Sequence, residues 1–236
     1  MFDTIFVIDD GREKGRDALR LARYLSTPDT DFVLGPLRSL VPDADVVVVG
    51  SGRDARRLLN GSPKPVAIAP EGYAAGPEDR LRVIGVGFDG QTESLAALGA
   101  AERLALERGA TLRVFAVAPP VNGQTSFSGM TSAEYTRLAR ESLGEQLRKA
   151  IEALDPSVRA ASSVIPGDPV QELSARSREG LDLLVLGSRG YGPIRRVVFG
   201  SVSGGLIDTV ECPLLVVPRT ATALDVASEL IEHSVK

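Results

Sequence analysis

The stretch LDLLVLGSRGYGPIRRVVFGSVSGG (181–205) decides the fold. Its first seven residues are an apolar run of strand length, without the alternation of a half-exposed strand, and so read as a buried strand of a parallel sheet. From Gly187 to Gly205 the chain carries six glycines in nineteen residues, with Arg195 and Arg196 adjacent in the middle. Gly187, Gly190 and the pair Gly200-Ser201 give the spacing G-x-x-G-(nine residues)-G-S. Each part has a use at an anion. Gly187 ends the strand where the backbone turns and lets a ligand come close. Gly190 permits a loop whose successive N–H groups point into one concavity. Gly200-Ser201 opens a helix, where unpaired N–H groups and the dipole favour negative charge and the Ser201 hydroxyl adds a donor. In isolation such a loop reads equally well as a set of turns. Placed after a buried strand and before a helix, it reads as a phosphate cradle. Arg195 and Arg196 read either as added positive potential or as solvated helix charges.

Working outward, LRVIGVGF (81–88) is strand-like and DGQTES suits a helix start. An alanine-rich helix follows over 95–110, stopped by Gly109, and TLRVFAVA (111–118) is the next strand. A polar loop, 119–130, leads to a long helix over about 132–154 with apolar residues at helical spacing. Then come a strand at 158–165, a helix at 168–180 opened by Asp168-Pro169, and the buried strand 181–187. A helix at about 201–210 and the strand PLLVVP (213–218) close the series. The alternation is that of a doubly wound α/β parallel sheet, which binds ligands beyond the carboxyl ends of its strands where the strand order reverses. The glycine loop and Asp89 both fall there.

The first eighty residues read as a shortened copy. DTIFVIDDG (3–11) parallels LRVIGVGFDG and aligns Asp10-Gly11 with Asp89-Gly90. DADVVVVGS (43–51) parallels LDLLVLGS, and KPVAIAP (64–70) parallels CPLLVVP. The copy has no glycine-arginine loop, and GPLRSLVP stands in place of the long helix and the middle strand. The expected organisation is a reduced unit at 1–76, a linker within GYAAGPED (72–79), a complete unit at 80–219 and a helical tail at 220–236.

Composition narrows the chemistry. A net charge of −4 argues against a nucleic-acid surface. No apolar run reaches membrane-spanning length, and MFDTIFVIDDG lacks the basic region and cleavage site of a signal peptide, so a cytoplasmic protein is expected. Cys212 is the single cysteine and His233 the single histidine. A Cys-rich metal site or a Ser-His-Asp triad is therefore improbable, and Cys212 reads as a packed hydrophobe. No catalytic residue and no metal ligand is assigned. A dinucleotide-dependent dehydrogenase is disfavoured, because no G-x-G-x-x-G follows the first strand of either half.

The spacing GSRG-(nine)-GS, followed by a helix and CPLLVVP, resembles the nucleotide loop of the universal stress protein family. VGFDG and PGDPVQEL extend the likeness over about 80–219, and a weaker likeness covers 2–72, as in a tandem member with a truncated first copy. The resemblance implies ATP or another adenine nucleotide, with Mg2+ as a candidate companion. It puts Asp89 at the ribose or the metal, the main chain around Val117 at the adenine, and Gly187, Gly190, Gly200 and Ser201 at the phosphates. Phe88 is bulkier than the small or polar residues usual before the acid. Asp10 matches the acid of the first copy, where no nucleotide is expected for want of a loop. Family members commonly pair through the last strand. PLLVVP and KPVAIAP, each bracketed by prolines, fit short edge strands that pair within one chain as a pseudo-dimer, with a homodimer as a further option. The implied function is a nucleotide-binding stress-response regulator with at most slow hydrolysis or self-phosphorylation at Ser201 or Ser203. The alternatives are an assembly module without nucleotide, or a nucleotide-cleaving or adenylyl-transferring enzyme.

Overall fold

The computed structural model describes residues 2–9, 11–37, 43–60, 62–76, 80–119, 131–188 and 201–218. In chain order the strands are β1 (Thr4–Ile8), β2 (Asp31–Gly35), β3 (Val46–Gly50), β4 (Val66–Ala69), β5 (Val83–Phe88), β6 (Thr111–Ala118), β7 (Arg159–Pro166), β8 (Leu183–Gly187) and β9 (Leu214–Val217). The helices are α1 (Glu13–Leu25), α2 (Arg53–Leu59), α3 (Thr92–Arg108), α4 (Ser132–Glu152), α5 (Pro169–Ser177) and α6 (Ser201–Leu206).

The strands form one sheet of nine in the order β2-β1-β3-β4-β9-β8-β5-β6-β7. Every pairing is parallel except β4 with β9, which is antiparallel and sets Val66 opposite Val216 and Ile68 opposite Leu214. The two proline-bracketed runs thus lie side by side and join the halves into a continuous sheet.

Alternate side chains of each strand feed opposite faces, as the period of two requires. Ile5, Val7, Val46, Val48, Ile84 and Val86 pack with buried residues of α1 and α3 and with Leu147 of α4. Phe6, Val47, Val49, Leu184 and Leu186 pack on the other side with Leu58 of α2, Leu173 of α5 and Leu206 of α6. Helix α3 buries five alanines, Ala96, Ala97, Ala100, Ala101 and Ala105, which lets its axis come close to the sheet. Gly109 ends it in the left-handed conformation, at φ 66°, where only glycine avoids a steric penalty.

Matching contacts recur in the two halves. The Asp45 carboxylate accepts from the main-chain N–H groups of Asp3 and Thr4, and the Asp182 carboxylate accepts from those of Arg82 and Val83. Ser51 N–H donates to Ala69 O at 2.8 Å, and Ser188 N–H to Val217 O at 2.9 Å. In both halves the strand order is the same, except that among the described residues the first half has no counterpart of β7.

Two first-half elements, β2 and α2, carry sequence signals too weak to read. DFVLG is only five residues long and has a glycine end, and RDARRLL is a single charged amphipathic segment. The segment after β4 also has more structure than a linker: Tyr73–Ala75 form a 3-10 turn. Asp17 of α1, 1% exposed, accepts from Gly72 N–H at 3.0 Å and from Ala74 N–H at 2.7 Å. Arg20 donates to Ala74 O and its guanidinium lies over the Tyr73 ring, which also meets Tyr24 edge-on. A second tie crosses the halves, where Arg108 at the end of α3 donates to the carbonyls of Leu25 and Ser26 at the end of α1. A cation is well placed at a helix C-terminus, where unpaired carbonyls gather.

Candidate functional site

In the second half the chain runs β5, β6, β7 in one direction across the sheet and then returns to place β8 and β9 on the other side of β5. The order reverses between β5 and β8, which is where such a sheet opens a crevice beyond its carboxyl ends. A cavity of about 550 Å3 lies there. Gly87, Phe88 and Asp89 reach it from β5, Phe115 and Val117 from β6, and Leu186 and Gly187 from β8.

The interior is apolar for a local reason. A Cβ on Gly87 would overlap Leu186 Cδ2 and stand 3.3 Å from Leu173 Cδ1, so the missing side chain is what lets these two leucines form the wall. Phe115, Val117 and Leu143 complete the apolar lining. Phe88, 4% exposed, belongs to the core on the α3 side of the sheet and contributes only part of its surface.

The mouth is polar. Asp89 is exposed and accepts from Gln91 N–H at 3.1 Å, a turn that carries the chain from β5 through Gly90, at φ 77°, into α3. Glu93 and Ser94 in the first turn of α3 also line the opening, as does Ser203 of α6. Opposite them the start of α5 is held by Asp168, which accepts from the N–H groups of Val170 and Gln171 at 3.0 Å each. Strand β6 extends past its last partner on β5, since Phe88 stands opposite Ala116. Val117 and Ala118 therefore have no β5 residue across from them at the cavity edge. Among the described lining residues there is no lysine, arginine, histidine or cysteine.

Of the residues singled out from the sequence, Asp89, Val117 and Gly187 line this cavity. Ser201 is exposed at the start of α6, and its neighbours Val202 and Ser203 face the cavity. Gly190 and Gly200 lie outside the described residues, as do Arg195, Arg196, Asp10 and His233. Gly187 has a packing requirement of its own. A Cβ there would collide with the main-chain carbonyl of Glu93 and come within 2.8 Å of Glu93 Cβ, so α3 rests directly on the end of β8. Phe115, Leu173, Leu186 and Val202 were not singled out. Phe115 and Leu186 stand near the carboxyl ends of recognised strands, a position that marks lining residues in this class of sheet.

The first half has a crevice at the matching place, beyond β1 and β3, of about 470 Å3. Its lining carries more charge than the other, with Arg12, Glu13, Lys14, Arg53, Asp54 and Glu71 beside the apolar Ile8 and Val49. Cys212 is packed, 5% exposed, and burial pushes its thiol up to about 12. No cluster of three or more candidate metal ligands occurs among the described residues, and no described helix is long and apolar enough to cross a membrane.

A mostly parallel α/β sheet with an apolar crevice at its switch point defines a Rossmann-like class of binding fold. Within it the chain belongs to the universal stress protein family, whose model matches residues 80–218. A universal stress protein of Mycobacterium tuberculosis is 31% identical over 192 residues, covering 75% of this chain and 65% of the relative, so the chain spans just under two thirds of that protein. The universal stress protein YxiE of Bacillus subtilis is 30% identical over 141 residues, covering 56% of this chain and 95% of the relative. The crystal structure of a universal stress protein from Archaeoglobus fulgidus superposes with a TM-score of 0.58 at 14% identity, covering 92% of this chain and 96% of that one, and so shares the fold across both halves.

Proposed function

We propose that the protein is a nucleotide-binding regulator of the stress-response type, holding one adenine nucleotide, ATP in the first instance, in the second half. The observation that carries this reading is the cavity at the β5–β8 switch. Its volume of about 550 Å3 falls within the range of small-molecule sites, roughly 300–1,000 Å3. An apolar interior with a polar mouth suits a purine and ribose inside and phosphates at the rim.

The residues present fit that ligand. Phe115, Val117, Leu173 and Leu186 offer the base an apolar slot, and the open edge of β6 at Val117 offers it main-chain hydrogen bonds. Asp89 stands where a ribose hydroxyl or a hydrated Mg2+ would lie, with Glu93 beside it. Phosphate contacts fall to Gly187, Gly190, Gly200 and Ser201. The described lining brings the carboxylates Asp89 and Glu93, and main-chain N–H donors with a divalent ion would suit a phosphate chain there. Bound Mg2+ would neutralise phosphate charge. This chain's own part is to orient the ligand and exclude water from the base. Among the described lining residues the only candidate general bases are the carboxylates Asp89 and Glu93, and slow turnover at most is the accompanying proposal.

The chain is further proposed to be a tandem of a reduced unit (1–76) and a complete one (80–219) followed by a tail (220–236). The paired contacts of Asp45 and Asp182 support that reading. The described lining of the first crevice offers no apolar slot like that of Phe115, Leu173 and Leu186, which supports an absence of nucleotide there.

The test is the nucleotide content of the purified protein after heat denaturation, with an ATP titration of the stripped protein by calorimetry. One nucleotide per chain is the expected result, and two would give the first crevice a ligand as well. The carboxylates Asp89 and Glu93 favour one competing reading, an assembly module without nucleotide, and neither bound nucleotide nor binding on titration would establish it.

A further inference from the structure

Strand β2 is one outer edge of the sheet. Its register with β1 sets Phe32 beside Ile5 and Leu34 beside Val7, so both side chains leave the face on which α1 packs. There they are 38% and 50% exposed. In the second half the strand so placed is β6, where Leu112 and Val114 stand opposite Ile84 and Val86 and are fully buried. Helix α4 covers that face and β7 lines that edge. Between β2 and β3 only residues 36–45 intervene, too few for a 21-residue helix and an 8-residue strand. Among the described residues the first half has no equivalent of α4 or β7 over this face and edge, and Phe32 and Leu34 stay partly exposed there.

The main chain of β2 is equally specific. Asp31 N–H donates to Asp3 O at 2.8 Å, and Gly35 O accepts from Asp9 N–H at 3.2 Å. Alternate residues of a paired strand direct both polar groups to the same side. Asp31, Val33 and Gly35 thus face β1, while Phe32 and Leu34 turn their N–H and C=O outward. The strand's start is fixed, since Thr30 Oγ1 donates to Phe2 O and accepts from Thr27 N–H, each at 2.9 Å.

The geometry points to a second copy of this chain as the occupant, adding its own β2 antiparallel about a twofold axis at Val33. In that register Phe32 opposes Leu34 of the second copy and Leu34 opposes its Phe32. Both are hydrogen-bonded pairs, so every outward N–H and C=O of Phe32 and Leu34 is satisfied. The four side chains lie together on one face as two aromatic–aliphatic cross-strand pairs. Asp31, the charged residue of the strand, opposes Gly35 and meets no like charge. Neighbouring registers do worse. One opposes Phe32 with Pro36, which has no N–H, and the other requires the N–H of Thr30, already donated to Thr27 O at 3.2 Å. Antiparallel strand addition is also how this chain joins its own β4 and β9. The joint would continue the sheet across two molecules.

A five-residue strand buries little area, so association should fall at the weak end of interfaces and emerge over about 1–500 μM. The experiment is light scattering or sedimentation of the full chain over that range, beside Leu34→Lys, Leu34→Pro and Val33→Cys. Lysine brings charge to the apolar pairs. Proline removes only an outward N–H, which edge positions tolerate. Circular dichroism and melting check that each variant folds. Val33 meets its own copy in a non-hydrogen-bonded pair with Cα atoms about 4.5 Å apart, within disulfide reach. The expected result is a concentration-dependent dimer, weakened at least tenfold by either Leu34 change, and rapid oxidative cross-linking of Val33→Cys. A monomer throughout with no cross-link overturns the proposal. So does a dimer that ignores both Leu34 changes and disappears when residues 219–236 are deleted.

Discussion

Gly187 at the end of β8 and Glu93 in the first turn of α3 are in main-chain contact, so that any side chain at 187 would overlap the Glu93 carbonyl. Gly50 at the end of β3 makes the same approach to α1, where a Cβ would stand 2.6 Å from Lys14 O. The obstacle in each case is backbone and cannot rotate away. Gly187→Ala is expected to cost about 1–3 kcal/mol, the usual penalty of overpacking, and to push the start of α3 outward. Because Glu93, Ser94 and Asp89 sit on that turn, ligand affinity should fall with stability. Gly50→Ala should lower stability by a similar amount and leave ligand affinity unchanged. Urea unfolding and calorimetry on both variants check the pair, and equal effects on affinity would count against a site confined to the second half.

The buried carboxylate of Asp17 holds the turn that leads out of the first half. Both of its oxygens accept main-chain N–H bonds, from Gly72 and Ala74. An amide in its place keeps one acceptor and turns an NH2 group toward a donor. Asp17→Asn should therefore destabilise the protein by about 1–3 kcal/mol, the range for a buried polar group left unsatisfied. It should also expose the segment after β4 to protease. Limited trypsin digestion, read by the rate of cleavage at Arg80 or Arg82, distinguishes loss of this anchor from a uniform loss of stability.

How far the fold was legible depended on how long each element's signal ran. TLRVFAVA coincides with β6, and Gly109 and Asp168 stop and start α3 and α5 through backbone chemistry that a sequence displays directly. DFVLG was not legible, because a five-residue edge strand with Phe32 and Leu34 exposed has neither the buried run of most other strands nor the eight-residue length of the exposed edge strand β7. The site divides in the same way. Asp89, Val117 and Gly187 could be placed by strand ends, whereas Leu173 and Leu186 enter the cavity because Gly87 has no side chain, a relation between three distant positions. The acids Asp45 and Asp182 were visible as part of a repeat, but their capping of N–H groups at the starts of the neighbouring strands β1 and β5 appears only once the strands are side by side.

Cys212 lies in the core beside β9, and desolvation pushes its thiol up to about 12 from an ordinary value near 9. The unfolded chain releases this proton first as pH rises. Between about pH 9 and 12 the folded state holds one more proton than the unfolded state, so stability falls with increasing pH. One proton contributes a slope of about 1.4 kcal/mol per pH unit. Below pH 9 the thiol contributes no slope. Other groups titrate in the same window, so the difference between the wild type and Cys212→Ala isolates this one. The alanine variant should lose less stability between pH 9 and 11 than the wild type does. The native thiol should also resist alkylation at pH 8 and react only as fast as the protein opens.

Val202 offers the sharpest electrostatic test of the cavity, because it faces the mouth from α6 and is only partly buried, leaving room for a longer side chain to reach solvent. The described lining already holds the carboxylates Asp89 and Glu93. A third carboxylate from Val202→Glu should repel a phosphate chain, and Val202→Lys should attract it. At an effective dielectric near 20, two unit charges about 8 Å apart interact by roughly 2 kcal/mol, and salt screening brings that toward 1 kcal/mol. The glutamate variant should therefore bind ATP about tenfold more weakly and the lysine variant a few-fold more tightly, with the gap narrowing at high salt. Adenosine separates charge from shape. Having no phosphate, it should bind both variants alike if its base occupies the Phe115–Leu173 slot. A lysine variant that gains nothing for ATP, or a glutamate variant that loses adenosine as strongly as ATP, would mean that the phosphates do not lie at this mouth.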